Sequence, residues 1–173
     1  MKVNYTNELS SDFQASVLLA GWPGMGSVGV GAIDYLRRKL DAKPLANVDM
    51  LEYFTADAVV VEDGIARLPD APTHIFYGVP ELELIIFQSE AQIGGTPGIE
   101  LMDHILDLGE KCGVDTVLTC ASYIMPVSHK EPAQVLGVAN NAEFRDELNP
   151  HGVEILEQGL VSGLNGLLLG FAG

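Results

Sequence analysis

A glycine-rich segment at residues 21–31 directly follows a short apolar run, and this junction constrains the fold more than any other part of the sequence. The run at residues 15–20, Ala-Ser-Val-Leu-Leu-Ala, is typical of a buried strand, and a Gly-Trp-Pro-Gly turn ends it. Apolar residues then recur at helical spacing up to Leu40, and the basic residues at 37–39 lie where cations favour a helix C-terminus. The segment therefore predicts a strand, a sharp turn and a helix in succession.

The turn also matches a nucleotide-binding pattern, because Gly24-Met25-Gly26-Ser27-Val28-Gly29 satisfies G-x-G-x-x-G between a strand and a helix. The glycines would allow close backbone approach to a phosphate at the helix N-terminus, and Asp49 further along is the candidate ribose-binding acid. Against this, the preceding Gly-Trp-Pro lengthens and stiffens the turn, and Pro23 lacks a backbone donor. The turn is therefore interpreted first as a tight turn with close helix packing, and a bound dinucleotide is the alternative.

Strand and helix signals alternate along most of the remaining chain. Asp63-Gly64 between two apolar runs predicts an antiparallel hairpin, and the apolar run at 82–88 suits a central strand. Thr96 is predicted to cap a helix that Pro97 opens and Gly113 ends. The expected fold is a single α/β domain over residues 1–173 with a mixed sheet.

Three predictions concern the last third of the chain. A strand is expected at residues 134–139, followed by a short helix that begins at a capping box of Asn140 and Glu143. A final apolar helix carries glycines on one stripe, which would let backbone approach backbone closely. These glycines are Gly163, Gly166 and Gly170.

The charge balance limits the partners that the chain can bind. It has 24 acidic and 9 basic residues, a net charge of -15, which disfavours nucleic acid and anionic membranes. No apolar stretch is long enough for a membrane span, and residues 1–13 lack the order of a signal peptide. We therefore expect a cytoplasmic protein.

The residue pattern does not indicate a catalytic site or a metal site. The serines lack a nucleophile elbow, the histidines lack paired ligand spacing, and Cys112 and Cys120 match neither a redox pair nor a zinc motif. No catalytic residue, metal or cofactor is predicted. Gln92 and Asn165 lie beside glycine turns and are predicted to line a cleft with the first turn. The resulting candidate ligand set comprises Gly24, Gly26, Ser27, Gly29, Gln92 and Asn165.

Four short segments, taken together in order and spacing, resemble the proteasome assembly chaperone 2 family. That family shows a Gly-x-Pro-Gly-x-Gly turn, a glutamine after a central strand, a Gly-Val-Ala-Thr-like strand end and a Gly-x-x-Gly-Leu-Leu helix. The matching segments here are Gly21-Trp22-Pro23-Gly24-Met25-Gly26-Ser27-Val28-Gly29, Glu90-Ala91-Gln92, Gly137-Val138-Ala139-Asn140-Asn141 and Val161-Ser162-Gly163-Leu164-Asn165-Gly166-Leu167-Leu168.

The resemblance implies a three-layer α/β/α sandwich of the phosphorylase/hydrolase-like type. It also implies an assembly-chaperone-like, homo-oligomeric protein without enzymatic activity, with a protein client such as proteasome subunits. The alternative is an enzyme or sensor that binds a nucleotide or small anion at residues 24–29, since some relatives have carried ATP-grasp or carboxylate-amine ligase labels. Relatives usually continue past the final helix, so the chain is expected to be shortened after Gly173, without their hydrophobic-Tyr-x docking tail.

Overall fold

The computed structural model describes residues 1–6 and 12–173, and its largest element is a six-stranded mixed sheet. The strands and α-helices of the described residues follow one another in this order: β1 Lys2–Tyr5, β2 Val17–Gly21, α1 Val28–Lys39, β3 Lys43–Asp49, β4 Val60–Glu62, β5 Ile65–Arg67, β6 His74–Val79, β7 Leu84–Ser89, α2 Gly95–Cys112, β8 Thr116–Thr119, β9 Leu136–Gly137, α3 Ala142–Leu148, β10 Glu154–Ile155 and α4 Gly163–Phe171. The α/β class with a mixed sheet is confirmed.

The strand order in the main sheet is β1-β3-β6-β7-β2-β8. Strand β2 is parallel to both of its neighbours, β7 and β8, whereas β6 is antiparallel to β7 and to β3. The ends of β2, β3, β7 and β8 therefore meet at one end of the sheet, together with the start of β6. We call this the carboxyl end of the sheet.

Alternation along β7 divides the core into two clusters. Ile85 and Phe87 point into the larger cluster with buried residues of α2 and α4, whereas Ile86 packs with Ile33 of α1. Because successive strand residues face opposite sides of a sheet, α1 lies on one face and α2 and α4 lie on the other. The predicted central position of this strand is confirmed.

The predicted hairpin forms, but it lies outside the main sheet. Strands β4 and β5 pair antiparallel as a separate two-stranded sheet, with Asp63 at φ 51° and Gly64 at φ 76° in the turn. Two successive positive φ angles are typical of the turns that suit a two-residue hairpin. Every residue of both strands is exposed.

Helix α2 begins earlier than the sequence predicts, so the assignment of Thr96 as its cap is wrong. Gly94 is the extended capping residue, and Gly95 follows with φ +67°. Glycine adopts this conformation without the penalty that a Cβ would bring, and the two glycines together start the helix before Thr96. Pro97 lies within the first turn, and Gly113 ends the helix at φ +85° as predicted.

The predicted strand at 134–139 is too long, and the predicted cap of α3 is one residue off. Strand β9 covers only Leu136–Gly137 and pairs with β10, away from the main sheet. Asn141, not Asn140, caps α3, and its Oδ1 accepts a hydrogen bond from the backbone N–H of Phe144 at 2.9 Å. A capping side chain accepts from the backbone N–H two or three residues later, and Asn141 makes this bond to Phe144.

Among the helices of the described residues, none combines the length and apolar character that a membrane crossing requires.

Candidate functional site

The turn between β2 and α1 is fixed by a buried aromatic side chain. Trp22 is fully buried, and its ring lies against Phe87 of β7 with the ring centroids 5.4 Å apart. Gly29 allows α1 to lie directly against the backbone of Cys120, because a Cβ at this position would collide with the Cys120 carbonyl oxygen. The turn is therefore packed tightly at both of its ends.

The middle of the turn is open. Gly24 faces empty space, and Gly26 and Ser27 adopt positive φ angles of 62° and 52°. The backbone N–H of Ser27 donates to the Gly24 carbonyl at 2.9 Å. Of the three glycines in the G-x-G-x-x-G pattern, only Gly29 is required by close packing.

Asn165 of α4 binds the turn with both polar atoms of its side chain. Its Oδ1 accepts from the Trp22 N–H at 3.2 Å, and its Nδ2 donates to the Trp22 carbonyl at 3.4 Å. The residue is buried, and its own carbonyl accepts from Thr119 Oγ1 of β8 at 2.8 Å. One asparagine thus joins α4, the turn and the neighbouring strand.

Gln92 makes a second connection between the same elements. Its Nε2 donates to the Pro23 carbonyl at 2.7 Å, and its Oε1 accepts from the Leu164 N–H at 3.1 Å. We call the side chains of Gln92 and Asn165 the amide clamp. The structure brings both to the turn, and their amide groups bind protein backbone there. Their role towards a ligand stays a prediction.

Asp49, the candidate ribose-binding acid, lies away from the turn. It ends β3, which two intervening strands, β6 and β7, separate from β2. At about 4.8 Å per strand spacing, this places it roughly 14 Å across the sheet. In a dinucleotide-binding fold the acid follows the strand next to the glycine-rich turn, so the strand order departs from that arrangement.

A cleft of about 600 Å³ opens at the carboxyl end of the sheet beside the amide clamp. Its walls come from the end of β3, the start of β6 and the segments at 50–57, 71–73 and 91–97, and they include Gln92. The described lining contains two carboxylates, Asp49 and Asp57, and no Lys or Arg. The volume and concave shape of the cleft fit a small-molecule site, whereas its two negatively charged side chains do not favour an anionic ligand.

Sequence reasoning missed a buried polar pair beside this cleft. His74 and Ser89 are opposite each other in β6 and β7, and His74 Nδ1 lies 2.8 Å from Ser89 Oγ. The Ser89 hydroxyl donates its one hydrogen to the Ala91 carbonyl at 2.8 Å. It therefore accepts the hydrogen bond from the imidazole, which places a ring proton on Nδ1. Burial lowers the pKa of His74, and the nearby charge of Glu90 only partly opposes this.

The direction of these bonds limits the chemistry of the pair. A serine nucleophile needs a histidine nitrogen to accept its proton, whereas here the hydroxyl proton goes to a backbone carbonyl. The register of two strands brought the residues together, and no local spacing in the sequence signals it. Across the described ranges, 1–6 and 12–173, no cluster of three His, Cys, Asp or Glu side chains could hold a metal ion.

The comparison with family models gives a match over most of the chain. The sequence model of the PAC2 family matches residues 18–173. None of the curated proteins matches the chain.

Several solved structures share the fold. Pyrococcus furiosus PbaA, described as an archaeal homolog of proteasome-assembly chaperone, has a TM-score of 0.70 at 24% identity, covering 99% of this chain and 70% of that one. Pyrococcus furiosus PbaB, described as an archaeal proteasome activator, has a TM-score of 0.74 at 24% identity, covering 98% and 74%. A PAC2 family protein from Streptomyces avermitilis has a TM-score of 0.70 at 18% identity, covering 90% and 69%.

Proposed function

Because the chain belongs to the PAC2 family, we propose that it is an assembly-chaperone-like protein that forms homo-oligomers and binds a protein client without catalysing a reaction. Proteasome subunits are the proposed client, since similar structures include an archaeal homolog of proteasome-assembly chaperone and an archaeal proteasome activator. The cytoplasm is the proposed compartment.

The observation that carries this proposal is the exposed β4–β5 hairpin. Val61, Ile65 and Leu68 are 62%, 57% and 75% exposed, and Val59 and Val60 beside them are exposed as well. The pairing of Val61 with Ala66 and of Glu62 with Ile65 puts Val61 and Ile65 on opposite faces of the hairpin. A two-stranded hairpin is at best marginally stable alone, and both of its faces expose apolar side chains to a partner surface. The hairpin therefore supports contact with another protein surface.

The charge of the chain favours the hairpin over other faces for such a contact. Two copies that each carry a net charge of -15 repel one another, and repulsion is weakest where apolar side chains separate the charges. The hairpin carries two acids, Glu62 and Asp63, and one base, Arg67. Its local charge of -1 is small beside the net charge of -15, which supports association through the hairpin.

Light scattering during size exclusion tests the proposal. We expect the wild-type chain to exceed a monomer at micromolar concentration and the double variant V61D/L68D to have a lower mass. Tyr35→Asp is the control, because Tyr35 is 58% exposed and lies on α1, outside the hairpin. A monomeric wild type that recovers no proteasome subunit from its native host would contradict the proposal.

A second candidate function is the binding of a nucleotide or small anion at the turn. In its favour, α1 has no side-chain cap at its N-terminus, and the residues at 24–27 are exposed. A helix N-terminus attracts anions. A melting screen with nucleotides and dinucleotides tests it, because a ligand at 100 times its Kd stabilises by about 2.7 kcal/mol. No change in melting temperature with any of them would refute it.

A further inference from the structure

A groove of about 170 Å³ opens between α2 and α4, and we call it the α2–α4 groove. Its walls include Ile99 of α2 and Leu167 and Phe171 of α4, which are 47%, 49% and 39% exposed. The described lining contains no ionisable side chain. A cavity of about 150 Å³ with apolar walls accepts a benzene molecule, so this groove has room for a large apolar side chain.

The two helices that form the groove differ in charge. Helix α2 starts at Gly94 and Gly95 without a side-chain cap, so its N-terminus attracts a negative charge. Asp103 is exposed one turn beyond Ile99, on the same side of the helix, and forms no ion pair with the described residues. Helix α4 carries no charged side chain. The order along α2 is therefore positive, apolar and negative, whereas α4 is uncharged.

Strand β5 of the exposed hairpin carries the complementary order. Asp63 lies in the turn, Ile65 begins β5 and Arg67 ends it, so the order from the tip is negative, apolar and positive. Ile65 and Arg67 point to the same face, about 6.6 Å apart along the strand. The step from Ile99 to Asp103 covers a similar length of helix, about 6 Å. Within residues 1–6 and 12–173, Arg67 forms no ion pair.

The opposite face of the hairpin matches α4. Ala66 and its partner Val61 point to this face, and Leu68, two residues further along the chain, is 75% exposed. None of these three side chains is charged, as on α4. The hairpin and the groove walls are exposed in the same chain, so they do not cover one another within one copy.

We propose that the β4–β5 hairpin of one copy binds the α2–α4 groove of a second copy, with β5 lying along the groove. Ile65 packs on Ile99 in this arrangement. Arg67 pairs with Asp103 in the next helical turn, and the uncharged face of the hairpin lies against α4. The inference rests on the proposed homo-oligomer and names the two surfaces that meet in it. Since these surfaces differ, the contact is head-to-tail, and each end copy keeps one free surface until the assembly closes.

Mixing two defective variants tests the proposal by light scattering. I65D/R67D alters the hairpin and I99D/L167D alters the groove, so each alone is expected to be monomeric at a concentration where the wild type associates. An equimolar mixture should form a heterodimer of twice the monomer mass, because one copy has an intact groove and the other an intact hairpin. Tyr35→Asp, on α1, should keep the mass of the wild type.

Exchange of the charged pair gives a second measurement. Arg67→Asp and Asp103→Arg should each raise the dissociation constant roughly threefold, the size expected of an exposed ion pair, and the variant that carries both should return to within about twofold of the wild type. Asp107→Arg is the matched control, because Asp107 is exposed on α2 one turn beyond Asp103. It should not rescue Arg67→Asp.

The outcomes separate this inference from its premise. A wild-type chain that stays monomeric would overturn the inference together with the proposed homo-oligomer. An oligomer that persists in I99D/L167D, or a charge exchange without rescue, would overturn the inference alone and leave the proposed function standing. Equal rescue by Asp107→Arg would do the same, because net charge and not contact would then explain the effect.

Discussion

The side chain of Asn165 binds both the N–H and the carbonyl of Trp22, a residue 143 positions earlier in the chain. An amide is the side chain that can donate and accept in this way, and both bonds are buried. The link fixes the packing of α4 against the turn after β2. It also explains an asparagine in an otherwise apolar helix.

We expect Asn165→Ala to lower the free energy of unfolding by about 2–4 kcal/mol. The substitution leaves two backbone groups of Trp22 buried without a partner, each at a cost of about 1–3 kcal/mol before relaxation. Urea unfolding measures the loss. Asn140→Ala, at an exposed asparagine, serves as the control and should change stability by less than about 0.5 kcal/mol. Equal effects of the two variants would show that the buried link contributes nothing.

Gln92→Ala should cost less, about 0.5–1.5 kcal/mol, although it also removes two hydrogen bonds. Gln92 is exposed, so water can replace the lost amide. A double-mutant cycle with Asn165→Ala should reveal coupling, because both side chains hold α4 to the same turn. Strict additivity would mean that the two halves of the amide clamp act independently.

Two glycines of α1 should respond to alanine in opposite directions. Gly29→Ala is expected to destabilise by more than about 2 kcal/mol, because the new Cβ meets the Cys120 carbonyl and α1 must move away. Gly31→Ala faces open space within the same helix and should stabilise by up to about 1 kcal/mol. Thermal unfolding of both variants gives the comparison. A neutral Gly29→Ala would contradict the close approach.

The pH dependence of the free energy of unfolding should reflect the protonation of His74. Burial holds its pKa below the ordinary value of 6.5, so the unfolded chain binds this proton more readily than the folded one. Stability is therefore fully present above pH 6.5 and falls as the pH drops below it, by at most about 1.4 kcal/mol per pH unit. His74→Gln should flatten this slope in urea titrations.

Two carboxyl groups with lowered pKa values affect stability in a more acidic range. Hydrogen bonds from Arg37 to Asp34 and from the N-terminus to Glu52 lower the pKa of these carboxyls from ordinary values of 3.8 and 4.5. Their contributions are lost only at more acidic pH. A slope between pH 6.5 and 5 that persists in His74→Gln would rule out His74 as its cause.

Local signals in the sequence were sufficient for several elements. The run at 15–20, the helix ending near Leu40 and the Asp63-Gly64 hairpin each depend on neighbouring residues, and all three are present. Gln92 and Asn165 were placed at the first turn, and the structure brings them there. Their amides bind the backbone of the turn and, for Gln92, also the Leu164 N–H of α4. These partners lie in distant chain segments and were not predicted.

Other features depended on contacts that periodicity does not encode. The glycine stripe of α4 was only partly right, because Gly170 faces open space whereas Gly166 packs against the Val161 carbonyl. The bond between His74 and Ser89 follows from the register of β6 and β7. Nothing local in either segment specifies that register.

The distance along the chain between Trp22 and Asn165 also sets an order of events during synthesis. At roughly 5–20 residues per second, a ribosome needs on the order of ten seconds to extend the chain from one to the other. During that interval the turn after β2 lacks its partner, and the core surface that later receives Leu164 and Leu168 is uncovered. A nascent chain halted before Asn165 is therefore expected to bind general chaperones.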